Sequence, residues 1–361
     1  MSERVLVCMS GGVDSTVAAF LLQQQGHDVE GITFWLWSFP GAPDYGGQTQ
    51  CCSLSASALA ARQLGIPHRT IDASAEFYDL VLKDFADRYR RGETPNPCGR
   101  CNRYLRFELA FSYAEAEGFD RVATGHHARI VPGTGGRLEL RRARDPSKDQ
   151  SYFLYGLQGE DLERLVFPVG DLTKAEVFAV ARSQNLHAAT LPESQDLCFS
   201  QGGRVDFLFS REDVWPGPIL DRGGHRLGEH DGLPHFTIGQ RHGLRIASDR
   251  PLYVVALDPA RNAVVVGEEE DLYSGGLEAT EASFLAGTPP VDGARLEAKV
   301  RYRAAPVPVT FHRLSEGRFS LTFATPERAV TAGQIVALYD GETLLGGGTI
   351  ERSVAVGRAH V

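Results

Sequence analysis

Methionine and tryptophan are scarce in this chain, two and three among 361 residues, and cysteine occurs only six times. So thin a set of cysteines does not build a disulfide scaffold, which is dense in cysteine and short. No apolar run approaches the roughly 20 residues that a membrane-spanning helix needs. Positive net charge is missing too. Lys and Arg number 37 against 46 Asp and Glu, a balance of −9. That argues against indiscriminate nucleic-acid binding and leaves room for a local basic patch. No internal repeat or low-complexity segment is present. The chain enters a strand almost at once, at Val5-Leu6-Val7, so no signal peptide is expected. A cytoplasmic protein is expected, without membrane contact and with reduced thiols. In that setting the cysteines read as metal-binding or catalytic.

What is present is an ordinary globular composition, 42% hydrophobic and 23% charged, in a chain too long for one core. Two or three domains are therefore expected. The most informative stretch is Cys8-Met9-Ser10-Gly11-Gly12-Val13-Asp14-Ser15-Thr16. Before it lies an apolar, β-branched strand. After it, Val17, Ala18, Leu21 and Leu22 fall at helical spacing until Gly26. Gly11 and Gly12 carry no Cβ, so the backbone can approach a ligand closely. The helix start adds unpaired N–H groups and the positive end of a dipole. This is a phosphate cradle, and it lacks the Gly-Lys-Ser/Thr ending of a Walker A loop. A bare Gly-Gly pair reads as an ordinary turn; Ser-Gly-Gly-Val-Asp-Ser at the first strand-to-helix junction is far more specific.

Further strands are predicted over 29–34, 68–72 and 122–124, with helices over 55–64 and 104–117. Phe77, Leu80, Val81, Phe85 and Tyr89 form an amphipathic helical stripe. Between them runs Thr94-Pro95-Asn96-Pro97-Cys98-Gly99-Arg100-Cys101-Asn102, whose prolines predict irregular structure. Thr173-Lys174-Ala175-Glu176 is a capping box. Alternating strands and helices predict a doubly wound, Rossmann-like parallel sheet, with ligands beyond the carboxyl ends of its strands. Residues 10–15 and 125–127 fall on that edge. Past Phe199 the long helical patterns vanish and strand patterns take over. The expected organisation is α/β plus β: a catalytic domain over 1–199, a small linking domain over 200–270, and a C-terminal antiparallel β-barrel over 271–361. In 296–303, Leu296, Ala298, Val300 and Tyr302 share one predicted strand face. Lys299, Arg301 and Arg303 share the other, either a solvated face or a contact for a phosphate backbone.

The cysteines admit several readings. Cys98 and Cys101 form a Cys-x-x-Cys pair, and Cys198 lies far along the chain. Adjacent Cys51 and Cys52 suit a zinc site poorly. A redox pair, a persulfide carrier with a resolving thiol, and an iron–sulfur site built from Cys98, Cys101 and Cys198 all remain open. Buried inert thiols suit Cys8, Cys51 and Cys52.

Ser10 to Ser15 resembles the loop of the ATP pyrophosphatases. With 94–97, Cys101-Asn102, Thr124-Gly125-His126, 148–154, Cys198-Phe199, Gly239-Gln240-Arg241 and Arg301-Tyr302-Arg303, the whole chain resembles the bacterial tRNA-specific 2-thiouridylases. The resemblance implies that Cys8, Met9, Ser10, Gly11, Gly12, Val13, Asp14, Ser15, Phe34 and Gly125 hold ATP, with Asp14 placing Mg2+. It implies adenylation of the wobble uridine O2 of a tRNA, pyrophosphate release, and sulfur transfer to C2. Cys198 would carry a persulfide delivered by a sulfur-relay protein or cysteine desulfurase, and Cys101 would free that sulfur. Asn96, Pro97 and Cys98 match the contact to the target base, which must leave the anticodon stack. His126, Lys148, Asp149, Gln150, Arg301, Tyr302 and Gln334 match tRNA contacts. A core role for His126 and turn roles for Asn96 and Gln334 are the plain alternatives. A monomer is expected.

One departure matters. Many family members carry Asp where this chain has Cys98. The three-cysteine set Cys98, Cys101 and Cys198 matches related tRNA thiolases that hold a [4Fe–4S] cluster. Persulfide relay stands ahead as the better-attested family route, and the cluster remains the alternative. An amidotransferase-type synthetase would use the same loop without needing the cysteines or the β-rich tail. A non-enzymatic RNA-binding module would turn over no ATP.

Overall fold

The computed structural model describes residues 2–36, 54–192, 197–200, 205, 208–209 and 214–356. The loop 39–50, Trp37, Cys51 and Cys52 lie outside the described residues.

The first strands are β-branched and apolar because both faces of a parallel sheet are covered. Val5, Leu6 and Val7 of β1 (Arg4–Cys8) are fully buried. β2 (Asp28–Trp35), β3 (His68–Asp72) and β4 (Arg121–Thr124) follow. The hairpin of β5 (Ala128–Pro132) and β6 (Leu138–Arg142) precedes the short β7 (Leu165–Val166). Among the described residues the first sheet runs β3-β2-β1-β4-β7, all parallel. One face is covered by α1 (Val13–Gln24) and α2 (Leu54–Leu64), which pack Ala19, Leu22, Ala60 and Ala61 on Val5 and Val7.

The other face takes two broken helices. One comprises α3 (Ser74–Phe77), a π-turn (Tyr78–Leu82) and α4 (Lys83–Arg90). The second comprises α5 (Pro97–Cys101), a π-turn (Asn102–Arg106) and α6 (Phe107–Glu117). Phe77, Val81, Phe85, Phe107 and Phe111 bury there against Leu6 and Ile32. Of the predicted stripe, Leu80 instead faces outward, 36% exposed. The short α7 (Asp161–Arg164) precedes α8 (Lys174–Ser183), whose Val177 and Ala181 pack on Val17 and Ala18 of α1. Helices on both faces make the sheet doubly wound.

The irregular structure expected at 94–102 gives way to helix from Pro97 onward. Proline is at home in the first helical turn, where its missing N–H is not needed. The Asn96 side chain caps the turn by accepting from the Gly99 N–H at 3.1 Å.

A small sheet links the halves, in the order β10 (Tyr253–Asp258), β11 (Ala263–Gly267), β8 (Gly217–Leu220), β9 (Arg226–His230). The expected hairpin around Pro259–Asn262 joins β10 to β11. The last part contains β12 (Tyr273–Phe284), β13 (Arg295–Lys299), β14 (Val307–Ser315), β15 (Arg318–Arg328), β16 (Ile335–Asp340) and β17 (Thr343–Ala355). They pair in the order β12-β15-β14-β13-β16-β17, and β12 also pairs with β17, which closes an antiparallel barrel. The hairpin β5–β6 extends its sheet through Arg141 and Thr343. In β16, Val336 and Leu338 fill the barrel while Ile335, Ala337 and Tyr339 pack into the core of the first domain. The barrel and the first domain therefore share one packed boundary.

The predicted strand over 296–303 is shorter than expected and ends at Lys299. Its basic face does not form. Lys299 is buried, its ammonium 5.4 Å from the Tyr302 ring centre, and burial lowers its pKa. Arg301 Nη2 donates to the Arg328 carbonyl at 2.5 Å. No helix among the described residues is long and apolar enough to cross a membrane.

Candidate active site

The loop after β1 turns sharply because Gly11 takes φ +81°, and a Cβ there would lie 2.7 Å from the Ala56 Cβ. Gly12 is the N-cap of α1 and offers no side chain to its first-turn amides. They are left for an anion, which the helix dipole favours. The loop's own hydroxyls brace it. Ser15 Oγ accepts from the Ser10 N–H at 3.1 Å, and Thr16 Oγ1 donates to the Gly12 carbonyl at 2.9 Å. Met9, Val13 and Phe34 are buried beneath.

Gly125, after β4, lies against the start of α1. A Cβ there would stand 2.6 Å from the Ser15 nitrogen. Gly125→Ala is therefore expected to push the two loops apart, at a cost of about 1–3 kcal/mol. The melting temperature should fall and ATP should bind more weakly. An unchanged melting temperature and ATP affinity would contradict the close approach.

Asp14, in the first turn of α1, holds two partners from distant segments. Lys174 Nζ donates to both carboxylate oxygens at 2.7 Å, and His127 Nε2 lies 3.0 Å from Oδ1. Burial works to raise the Asp14 pKa. The His127 hydrogen bond and the Lys174 charge outweigh it and hold the carboxylate below its ordinary range. Lys174 opens α8, where the dipole disfavours a cation. The Asp14 carboxylate offsets that cost. In the sequence, Lys174 reads only as part of a capping box, and the box is present, with Thr173 and Glu176 bonded to each other's backbone. The signal that could have singled it out was a lysine in a helix's first turn.

The thiols differ in setting. Cys101 is buried, Cys98 is exposed and Cys198 is half-buried. None of these three, nor Cys8, forms a disulfide among the described residues. Burial pushes the Cys8 thiol up to about 12, against the lowering charge of Arg106. Cys101 shares a cavity of about 30 Å³ with Cys8, Met9, Ser10, Phe34 and Arg106. The phosphate loop and a cysteine of the Cys-x-x-Cys helix thus border one space. Cys198 packs on the edge of the core that contains Cys101, next to Phe199, whose ring meets Phe85 at 5.2 Å. Among the described residues no three His, Cys, Asp or Glu side chains converge as metal ligands. Cys98, Cys101 and Cys198 are not brought together as a ligand set in this arrangement.

The residues matched to tRNA contacts separate into several groups. His126 is buried between Phe107 and Phe167, with Nδ1 2.7 Å from Thr124 Oγ1. Burial, then the Arg106 charge, pushes its pKa down to about 3. Asp149 is buried, and its carboxylate accepts from the Ala143 and Ser151 amides at 3.1 Å. Gln150 Oε1 accepts from the His127 N–H at 2.9 Å, and Gln334 Nε2 donates to the Thr94 carbonyl at 2.7 Å. Lys148 is half-buried, as is Tyr302, whose ring lies 4.5 Å from that of Phe153.

A glycine loop at the carboxyl edge of a parallel sheet, with a thiol bordering the same space, defines a doubly wound α/β protein with a helix N-terminus and a cysteine side by side. Family models match three successive stretches: a tRNA methyl transferase HUP domain over residues 3–202, a tRNA methyl transferase PRC-barrel domain over 205–268, and an aminomethyltransferase beta-barrel domain over 274–350. Similar proteins include the tRNA-specific 2-thiouridylase MnmA of Roseiflexus castenholzii, 44% identical over 97% of this chain and 99% of its own. That of Moorella thermoacetica is 45% identical over 96% of this chain and 99% of its own. That of Geotalea uraniireducens is 43% identical over 98% and 96%. The chain belongs to the tRNA-specific 2-thiouridylase family.

Proposed function

We propose that this chain is an ATP-dependent tRNA-uridine 2-sulfurtransferase that adenylates the wobble uridine and passes it a persulfide sulfur. The observation that carries the reading is the single cavity bordered by the phosphate loop and Cys101. A nucleotide activated in the cradle and a thiol that completes sulfur transfer need to meet, and here their residues line one space. Full-length similarity to thiouridylases outweighs the methyl-transfer wording of the domain models, which match the chain in parts.

In this reading the α1 amides and residues 8–15 hold the ATP phosphates, with Phe34 and Gly125 shaping the rest of the pocket. The donor set at Asp14, one carboxylate beside a phosphate cradle, fits Mg2+, which keeps most of its waters and takes one or two carboxylates plus phosphates. When bound, that ion offsets phosphate charge. Lys174 supplies a second cation from the protein itself. The uridine O2 attacks the α-phosphorus, pyrophosphate leaves, and C2 becomes electrophilic with AMP as its leaving group. The terminal sulfur of a Cys198 persulfide bonds to C2 and AMP departs. The Cys101 thiolate then attacks the Cys198 sulfur, breaking the S–S bond. The base keeps the thiocarbonyl sulfur, and a Cys101–Cys198 disulfide remains for a thiol reductant to open. Asn96, Pro97 and Cys98 would meet the flipped base. The other matched residues would meet the anticodon loop or brace the loops that do. A sulfur-relay protein or cysteine desulfurase would load Cys198. The proposed working units are 1–199, 200–270 and 271–361, in a cytoplasmic monomer.

The test is incubation of protein, ATP, a persulfide donor and tRNA, followed by nucleoside mass spectrometry. Formation of 2-thiouridine with one AMP each is expected. ATP turnover without 2-thiouridine would point to another pyrophosphate-loop synthetase.

A further inference from the structure

Glu281 stands within β12 at φ +51°, in the left-handed region where glycine meets no steric cost. The β12–β17 pairing breaks register between Thr280 and Ser283, so the strand bulges there. A bulge alone would be served at least as well by glycine. What glutamate adds is a carboxylate, and its partners are specific. It accepts from Thr349 Oγ1 at 2.6 Å and from Arg88 Nη2 at 3.3 Å, and lies 3.8 Å from Arg100 Nη1. The Glu281 carbonyl accepts from Arg103 Nη1 at 2.5 Å. Burial would raise the Glu281 pKa, but Thr349 and the three arginines hold it low, so the charge is kept.

Those arginines all belong to the first domain. Arg88 lies in the last turn of α4 and is fixed by Asp84 at 2.9 Å and Glu93 at 3.0 Å. Arg100 lies inside α5, between Cys98 and Cys101, and donates to the Leu80 carbonyl at 2.6 Å. Arg103 follows one half-turn after Cys101, its guanidinium 4.9 Å from the Tyr104 ring centre. The barrel also grips the start of the same segment, where the Thr94 N–H donates to the Ala332 carbonyl at 2.8 Å. The short α5 is therefore held at both ends by the C-terminal barrel, and Glu281 supplies the charged end.

We propose that Glu281 is a positioning residue for sulfur transfer: from the barrel it fixes α5, and with it the Cys101 thiol, against the phosphate cradle. This rests on the sulfur-transfer role of Cys101. The barrel in this view sets catalytic geometry as well as meeting tRNA.

The test separates the two chemical steps in Glu281→Gly, which keeps the left-handed backbone and removes only the side chain. Adenylation, read as tRNA-dependent AMP formation, should fall by no more than about fivefold, since the start of α5 is held separately through Thr94, while 2-thiouridine formation from persulfide-loaded protein falls by roughly twentyfold to a hundredfold. Equal loss of both steps, or loss of neither, would overturn the proposal. Should the glycine variant fail to fold, Glu281→Gln keeps the hydrogen bonds without the charge. The same split between steps, smaller in size, is expected there, and a uniform change would overturn it. Wild-type protein run in parallel distinguishes the two readings. If it forms AMP but no 2-thiouridine, the role of Cys101 fails and the positioning role falls with it. If wild type is active and the variant shows no split, only the positioning role fails.

Discussion

Asp14→Ala should lower tRNA-dependent pyrophosphate release by roughly a hundredfold to a thousandfold, the usual cost of losing a preorganised charge at a reacting centre. The effect has two parts. The carboxylate is lost from the mouth of the cradle, and Lys174 loses the partner it holds at 2.7 Å. An ammonium at the start of α8 then faces the positive end of that helix without the carboxylate that offset it. Removing the ion pair should cost about 1–3 kcal/mol of stability, which is too little to unfold the protein. tRNA affinity should change little, because the residues proposed to meet the anticodon loop are other than Asp14. Asp14→Asn, which keeps the shape and removes the charge, should lose nearly as much activity. Normal pyrophosphate release from either variant would remove Asp14 from the cradle's chemistry.

The second large effect is expected at Cys198. Cys198→Ser should cut 2-thiouridine formation by at least about a thousandfold, because a hydroxyl cannot carry a persulfide and loss of a covalent carrier removes its whole pathway. Adenylation should survive, so ATP would still yield AMP and pyrophosphate with tRNA present. tRNA binding should be unchanged within error. The contrast with Asp14→Ala is the informative part: one variant stops the first step, the other only the second. Retained thiolation in Cys198→Ser would show that Cys198 is not required.

The parts of this arrangement that were legible in the sequence are those set by local rules. β1, the glycine loop and α1 follow from an apolar run, two glycines and helical spacing, and α1 simply starts earlier than the spacing suggests, at Val13. The hairpin between β10 and β11 follows from its turn residues. Long-range structure was less visible. The strand over 335–339 is legible as an apolar run, but its burial on both faces is not, because one side fills the barrel and the other packs on the first domain. β17 carries Gly346-Gly347-Gly348 where backbones cross closely, and glycines read as turn. The prolines of 94–97 hid the start of α5, since a proline that opens a helix looks in sequence like one that breaks it. At the site, the loop residues were visible as a motif. Lys174 was not, and His127 was placed on the ligand-binding edge without its partner, since only the fold brings residues 127 and 174 to Asp14. Glu281 was equally hidden, as its meaning lies in three arginines nearly two hundred positions earlier in the chain.

The most direct test of the account follows one sulfur atom. Cys198 is loaded with an isotopically labelled persulfide in metal-free protein, excess donor is removed, and ATP and tRNA are added for a single turnover. The account predicts one labelled 2-thiouridine, one AMP and one Cys101–Cys198 disulfide for each persulfide consumed. AMP released while the label stays on the protein, or thiolation that returns only when iron and sulfide are restored, would contradict it.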